Sequence, residues 1–125
     1  EQYVLNSVRY FHNKKCALIY ITKDILHKTG SNENELESLS SVPYQIKGVK
    51  IGITLREREN GYKISVRTAK SINAAEICAQ FGGGGHLRAA GCFINGGLEE
   101  VIQKISEAAD KALSENEKLK KQKSL

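Results

Sequence analysis

Asn73-Ala74-Ala75-Glu76-Ile77-Cys78-Ala79-Gln80-Phe81-Gly82-Gly83-Gly84-Gly85-His86-Leu87-Arg88-Ala89-Ala90-Gly91 holds three structural signals in nineteen positions. Asn73 is a good N-cap, with Glu76 three residues on in the reciprocal capping position. Ile72 and Ile77 stand at the two ends of a hydrophobic staple. The spacing predicts a helix over Asn73–Phe81 that buries Ala74, Ile77, Cys78 and Phe81. Gly82 is placed where a helix closes on a left-handed residue. A strand follows from Ala90. The four consecutive glycines between helix and strand are costly to order, because glycine loses the most backbone freedom on folding. They make sense where the backbone approaches something closely or takes φ angles closed to other residues. His86 and Arg88 beside them point to an anion, for which successive glycine amides form a concave nest.

Outward from that stretch, the elements alternate. Gln2–His12 reads as a short helix, and Ala17–Ile21 as a buried strand. Lys28–Ser41 is polar and reads as a loop. Lys50–Arg58 and Tyr62–Thr68 alternate apolar and polar residues, and Asn60-Gly61 between them is a hairpin signal. Leu98, Val101, Ile102, Ile105, Ala109 and Ala112 form a helical stripe over Leu98–Glu115. Glu99 and Glu100 at its start and lysines at its end suit the helix dipole. The expected fold is α/β: one domain with a mixed sheet of four or five strands and flanking helices. The domain spans 1–117, and 118–125 reads as a basic, solvated tail.

The composition narrows the function. The chain has 125 residues, 40% apolar and 26% charged, which suits a single soluble domain with a real core. No apolar run is long enough to span a bilayer, and no signal peptide is visible. Methionine is absent even from position 1, so a segment of a longer protein is expected. Cys16, Cys78 and Cys92 are widely spaced in apolar surroundings and read as reduced, buried thiols of a cytoplasmic protein. The net charge of +5 owes much to Lys118, Lys120, Lys121 and Lys123, so the body is nearly balanced. With two aspartates and three histidines in no ligand spacing, no metal site and no catalytic group is expected in the chain itself. No aromatic platform for stacking bases is apparent.

The run is not a Walker loop, since Leu87 and Arg88 stand where Lys and Ser/Thr are required. It is not a dinucleotide fingerprint, which follows a strand rather than a helix. An anion pocket is the best reading. Ser65, Arg67 and Thr68 read as lying at the end of the hairpin on the polar face of its second strand, where Ser65 and Arg67, two apart, share a side. If that end abuts the glycine run, Arg67, His86 and the loop amides converge. Read singly, Arg67 is an exposed strand charge and the run a flexible linker.

The motifs Ser65-Val66-Arg67-Thr68, Ile72-Asn73-Ala74-Ala75-Glu76-Ile77 and Phe81-Gly82-Gly83-Gly84-Gly85-His86-Leu87-Arg88-Ala89-Ala90-Gly91-Cys92 resemble the C-terminal accessory domain of DHH-family phosphoesterases. Thr68 stands where that family usually has Ser. Ile46-Lys47-Gly48-Val49 and Leu55-Arg56-Glu57 are similar to the branch of NrnA-type oligoribonucleases and adenosine 3′,5′-bisphosphate phosphatases. The resemblance implies a Mn-dependent hydrolase whose two Mn²⁺ ions sit in a separate N-terminal domain joined in cis. It implies that Arg67, His86, Gly83, Gly84 and Gly85 hold phosphates of short RNA or nucleotides. Ser65, Thr68, Gly82 and Arg88 are secondary candidates. The chain alone is expected to be inactive, with no membrane partner, and a homodimer is left open. An accessory domain of a cyclic-dinucleotide phosphodiesterase and a plain nucleic-acid-binding module are the alternatives.

Overall fold

The fold was described from a computed structural model, which describes residues 8–24 and 41–124. The sheet is built from β1 (Arg9–Phe11), β2 (Cys16–Ile21), β3 (Ile51–Glu57), β4 (Gly61–Thr68), β5 (Gly84–Gly85) and β6 (Ala89–Asn95). The helices α1 (Val42–Gln45), α2 (Ala74–Ala79) and α3 (Leu98–Ser124) accompany it. The strand order is β1-β2-β3-β4-β6-β5, with β2 and β3 parallel and the other pairs antiparallel. The mixed α/β sheet is as expected but has six strands.

Both additional strands lie at the edges. Arg9–Phe11 is a strand and not the end of a helix; it pairs with β2, Phe11 facing Cys16. The turn from His12 to Lys15 puts His12, Asn13 and Lys14 at positive φ. The rest of the expected Gln2–His12 helix, and all but Ser41 of the polar Lys28–Ser41 segment, lie outside the described residues. The β3–β4 hairpin also closes one residue earlier than Asn60-Gly61 suggested. Arg58 N donates to Gly61 O at 2.8 Å, and neither Asn60 nor Gly61 has a positive φ. Gly61 is instead required by close approach, because a Cβ there would meet Ile94 O at 2.3 Å.

Pairing register divides the sheet into two faces. The inner face carries Cys16, Leu18, Ile51, Ile53, Leu55, Ile64, Val66, Cys92 and Ile94, all buried. α2 and α3 cover it with Ala74, Ile77, Val101, Ile102, Ile105, Ala109 and Leu113. The outer face carries Ala17, Ile19 and Ile21 on β2, buried as well, so β2 is apolar on both sides. That dual burial explains its unbroken apolar run. Next to it, Tyr44 of α1 lies so close to Gly52 that a Cβ would meet its backbone N at 2.5 Å. The outer face over β4, β6 and β5 is the part that bears the candidate site.

α3 does not stop at Glu115; it continues to Ser124. The apolar stripe ends at Leu113, but the buried side goes on in polar residues. Asn116 Nδ2 donates to Ser71 O and Oγ at 3.2 and 3.0 Å. Glu117 takes Lys15 Nζ at 2.5 Å and His12 Nε2 at 3.1 Å, and His12 Nδ1 lies 3.2 Å from Asp110. At the other end Arg9 forks onto Glu99 at 2.9 and 2.8 Å. The hairpin of β1 and β2 is thus tied to α3 at both ends. Lys118, Lys120 and Lys121, read as a tail, are exposed residues of this helix.

Candidate substrate-binding groove

The glycine run begins by ending α2. Asn73 Oδ1 accepts from Glu76 N at 3.1 Å, completing the N-cap. At the other end Gly82 N donates to Ala79 O at 3.1 Å and Gly83 N to Cys78 O at 3.0 Å. With Gly82 at φ 79°, these two bonds form a Schellman closure, which requires a residue tolerant of the left-handed region. The chain then runs straight onto the sheet. Gly84 pairs with Gly91 and Gly85 with Ala90, and His86 N donates to Ala89 O at 2.8 Å. The run is therefore an edge strand and not a curled nest. Alternation of the antiparallel ladder turns the Gly85 N–H away from β6 and toward the open edge.

Register then assembles the face. Thr54, Ser65, Gly91 and Gly84 form one row across β3, β4, β6 and β5. Gly52, Arg67 and Ala89 form the next, and His86 ends it opposite Ala89. Ser65, Val66, Arg67, Gly84, Gly85, Ala89, Ala90 and Gly91 line a groove of about 320 Å³. His86 is exposed and is not itself among the lining residues; it follows Gly85 just beyond them, two strand spacings or roughly 10 Å of backbone from Arg67. The two side chains are long enough to close on one phosphoryl group from opposite walls. Arg67 supplies a planar fork and Ser65 a hydroxyl.

The four glycines differ in what demands them. Gly82 is fixed by its φ. Gly83 faces β6 so closely that a Cβ would meet Gly91 O at 2.1 Å. Gly85 has φ 149° and a Cβ there would meet Ala90 Cα at 2.7 Å. At Gly84 nothing lies within 4 Å of the Cβ position. The fold has no need of glycine there, yet Gly84 forms the bare wall of the groove across from Ser65.

Two secondary candidates have other duties. Thr68 is not on the face of Ser65 and Arg67; it is 1% exposed and turned to the inner face. Its hydroxyl donates to Ile72 O at 2.6 Å, with Leu87 O at 3.1 Å. Arg88 Nη1 donates to Ala69 O at 2.5 Å and Ile72 O at 3.0 Å. Thr68 N also donates to Arg88 O at 3.0 Å, and Ala74 N to Leu87 O at 2.8 Å. Together these bonds brace the His86–Arg88 turn against β4 and the start of α2, so the groove wall is preorganised. Sequence reasoning had no signal for this bracing, since both residue types read equally well as ligand donors.

Cys16, Cys78 and Cys92 are free and buried. Burial pushes the Cys16 thiol up to about 12. The hydrogen bond to Cys92, with burial, pushes Cys78 up as well. Neither acts as a nucleophile at neutral pH. Among the described residues no group of His, Cys, Asp and Glu is arranged to hold a metal ion, and no helix is long and apolar enough to cross a membrane.

The DHHA1 domain model matches residues 13–115. The chain belongs to the DHHA1 domain family. Over 97 residues it is 29% identical to the bifunctional oligoribonuclease and PAP phosphatase NrnA of Thermus thermophilus, covering 77% of this chain and 30% of that protein. An exopolyphosphatase-related protein from Bacteroides fragilis superposes with TM-score 0.83 and 30% identity over 93% of this chain and 34% of its own. The pGpG-specific phosphodiesterase PggH from Vibrio cholerae shares the fold at TM-score 0.54 and 17% identity, over 85% of this chain and 36% of its own. This DHHA1 domain thus spans about a third of the length of these relatives.

Proposed function

We propose that this DHHA1 domain is the substrate-holding part of a DHH-type phosphoesterase acting on short oligoribonucleotides or adenosine 3′,5′-bisphosphate. The Thermus thermophilus relative carries a name of that chemistry, and the groove offers Arg67 and Ser65 to an anion. Arg67 would fork onto one phosphoryl group. Ser65 and the outward Gly85 N–H would donate to its other oxygens, and His86 would close from the rim. Hydrogen bonds to a charged acceptor are about twice as strong as neutral ones. The observation that carries the reading is Gly84: the one glycine of the run with no internal demand is the one whose missing side chain leaves the groove open.

The described residues do not fit the two Mn²⁺ ions expected of such an enzyme, so hydrolysis would be performed by a separate DHH domain in cis. This chain would bind, orient and release substrate, and hydrolyse nothing alone. Titration of the chain with adenosine 3′,5′-bisphosphate and with the dinucleotide pApA tests this. Arg67→Ala and His86→Ala should each weaken binding by about 10-fold or more, as expected for losing a charge-assisted contact. Lys120→Ala should leave it within about twofold. Equal effects of all three would reject the groove in favour of bulk charge.

A further inference from the structure

The same outer face carries a second cleft that the phosphate reading leaves unused. One row beyond Ser65 and Gly91, Lys63 of β4 pairs with Phe93 of β6. Phe93 is 42% exposed, unusual for the largest apolar side chain of a strand whose inner-face neighbours are buried. Arg58, Glu59, Asn60, Lys63, Gly91 and Phe93 help line a cleft of about 700 Å³. Gly91 belongs to both this cleft and the Arg67 groove, so the two adjoin. Their lining side chains include the cations Arg58, Lys63 and Arg67 against the single carboxylate Glu59.

We infer that Phe93 is a stacking platform for one nucleobase of an oligoribonucleotide whose phosphate occupies the Arg67 groove. The inference rests on the phosphate reading above and adds the base to it. Three features support it. The ring stands on a sheet face, the geometry by which strand aromatics present a flat surface to unstacked bases. Lys63 is exposed beside it and can take the adjoining backbone phosphate. The spacing also suits: Phe93 is two residues from Gly91, so its row lies roughly 7 Å from the Ser65 row. That distance is within the reach of one nucleotide from phosphate to base. The apolar ring with flanking cations thus matches a ligand that is flat and apolar at one end and anionic at the other. A single platform of this kind holds one base, by face rather than by sequence.

The chain has no tryptophan, so Phe93→Trp introduces a unique reporter that keeps the aromatic face. Phe93→Leu keeps apolar bulk and removes the π surface. The ligands are pApA, its counterpart lacking both bases, and inorganic phosphate. Titrating the 125-residue chain, pApA should quench the Phe93→Trp emission, while the base-free ligand and phosphate should not. Phe93→Leu should weaken pApA binding by about 5- to 100-fold, the usual span for losing one stacked base, and leave the base-free ligand unchanged. Unquenched emission at saturating pApA, or wild-type affinity in Phe93→Leu, would overturn the inference; if Arg67→Ala still weakens binding by about 10-fold or more, the phosphate reading stands without it. Conversely, a quenching midpoint in Phe93→Trp/Arg67→Ala equal to that of Phe93→Trp would keep the base platform and reject the phosphate groove. Failure of the wild-type chain to bind either dinucleotide ligand would overturn both.

Discussion

Gly84 and Gly83 are adjacent, chemically identical and opposite in consequence. A methyl group at 83 has nowhere to go, since Gly91 O and Cys92 Cβ lie 2.1 and 2.6 Å from its position. Gly83→Ala should cost about 1–3 kcal/mol or more, read as a clear drop in the denaturation midpoint. Gly84→Ala meets open space and should leave the midpoint unchanged or slightly raised, because alanine orders at lower entropic cost. The same change should weaken pApA binding by about 10-fold or more if a phosphate packs against that wall. Normal binding by Gly84→Ala would leave its glycine unexplained and remove the main support for the groove. Thr68 tests the complementary point. Thr68→Val conserves shape but deprives Ile72 O and Leu87 O of the hydroxyl, and should cost about 1–3 kcal/mol. Its effect on affinity should follow only from the loosened turn, so binding per folded molecule should fall less than in Arg67→Ala.

Besides the Asn116–Ser71 contact, α3 is held by two polar ties, at Glu99 and at Glu117, whose residues lie about a hundred positions from their partners. Glu117 receives Lys15 and His12, in that order of effect, and these hold its carboxyl at about 2, below its ordinary 4.5. A carboxylate with a depressed folded pKa stabilises the fold above its unfolded value, and that stabilisation fades as pH falls through the folded one. Wild type should therefore exceed Glu117→Gln in thermal midpoint at pH 7 and low salt. The gap should shrink from about pH 4.5 and be gone near 2. Its carboxylate side is 41% exposed, so added salt should also narrow it. A gap that ignores both pH and salt would mean that Glu117 acts through packing alone. The β-elements show the other side of the same logic. β3 is buried on both faces, Thr54 and Arg56 of its outer face being 1% and 5% exposed, yet β3 and β4 were both legible because apolar and polar residues alternate along them, which writes period two into the sequence. β1 and β5 were not, because three and two residues are too few to carry a period.

The whole molecule separates its two basic regions. Lys15, Lys50, Lys118, Lys120 and Lys121 line a cleft at the end of α3, whereas Arg58, Lys63 and Arg67 lie on the outer face. A lysine-driven contact with a polyanion should prefer long chains and weaken steeply with salt. The groove should prefer short phosphorylated ligands and respond to Arg67→Ala with α3 intact. Measuring pApA and a long homopolymer at two salt concentrations, in Arg67→Ala and in Lys120→Ala/Lys121→Ala, resolves the two. Loss of pApA binding in the lysine variant alone would place the site on α3 instead.

Local pattern was enough for the hairpin, the cap of α2 and the glycine-histidine run, and the resemblance of its motifs was enough for the family, because each is written within a few neighbouring residues. What needed three dimensions was the sorting of roles among residues of the same type. Thr68 and Ser65 are both hydroxyls on β4, but an odd offset sends one to the braced inner face and the other to the groove. Asn116 and Glu117 extend α3 past its apolar stripe because their partners, Ser71, His12 and Lys15, lie far away along the chain. Phe93 reads as one more apolar strand residue until register places it on the outer face, opposite the side that α2 and α3 cover. Short-range spacing specifies an element, but burial and partnership depend on which distant segments the sheet brings alongside it.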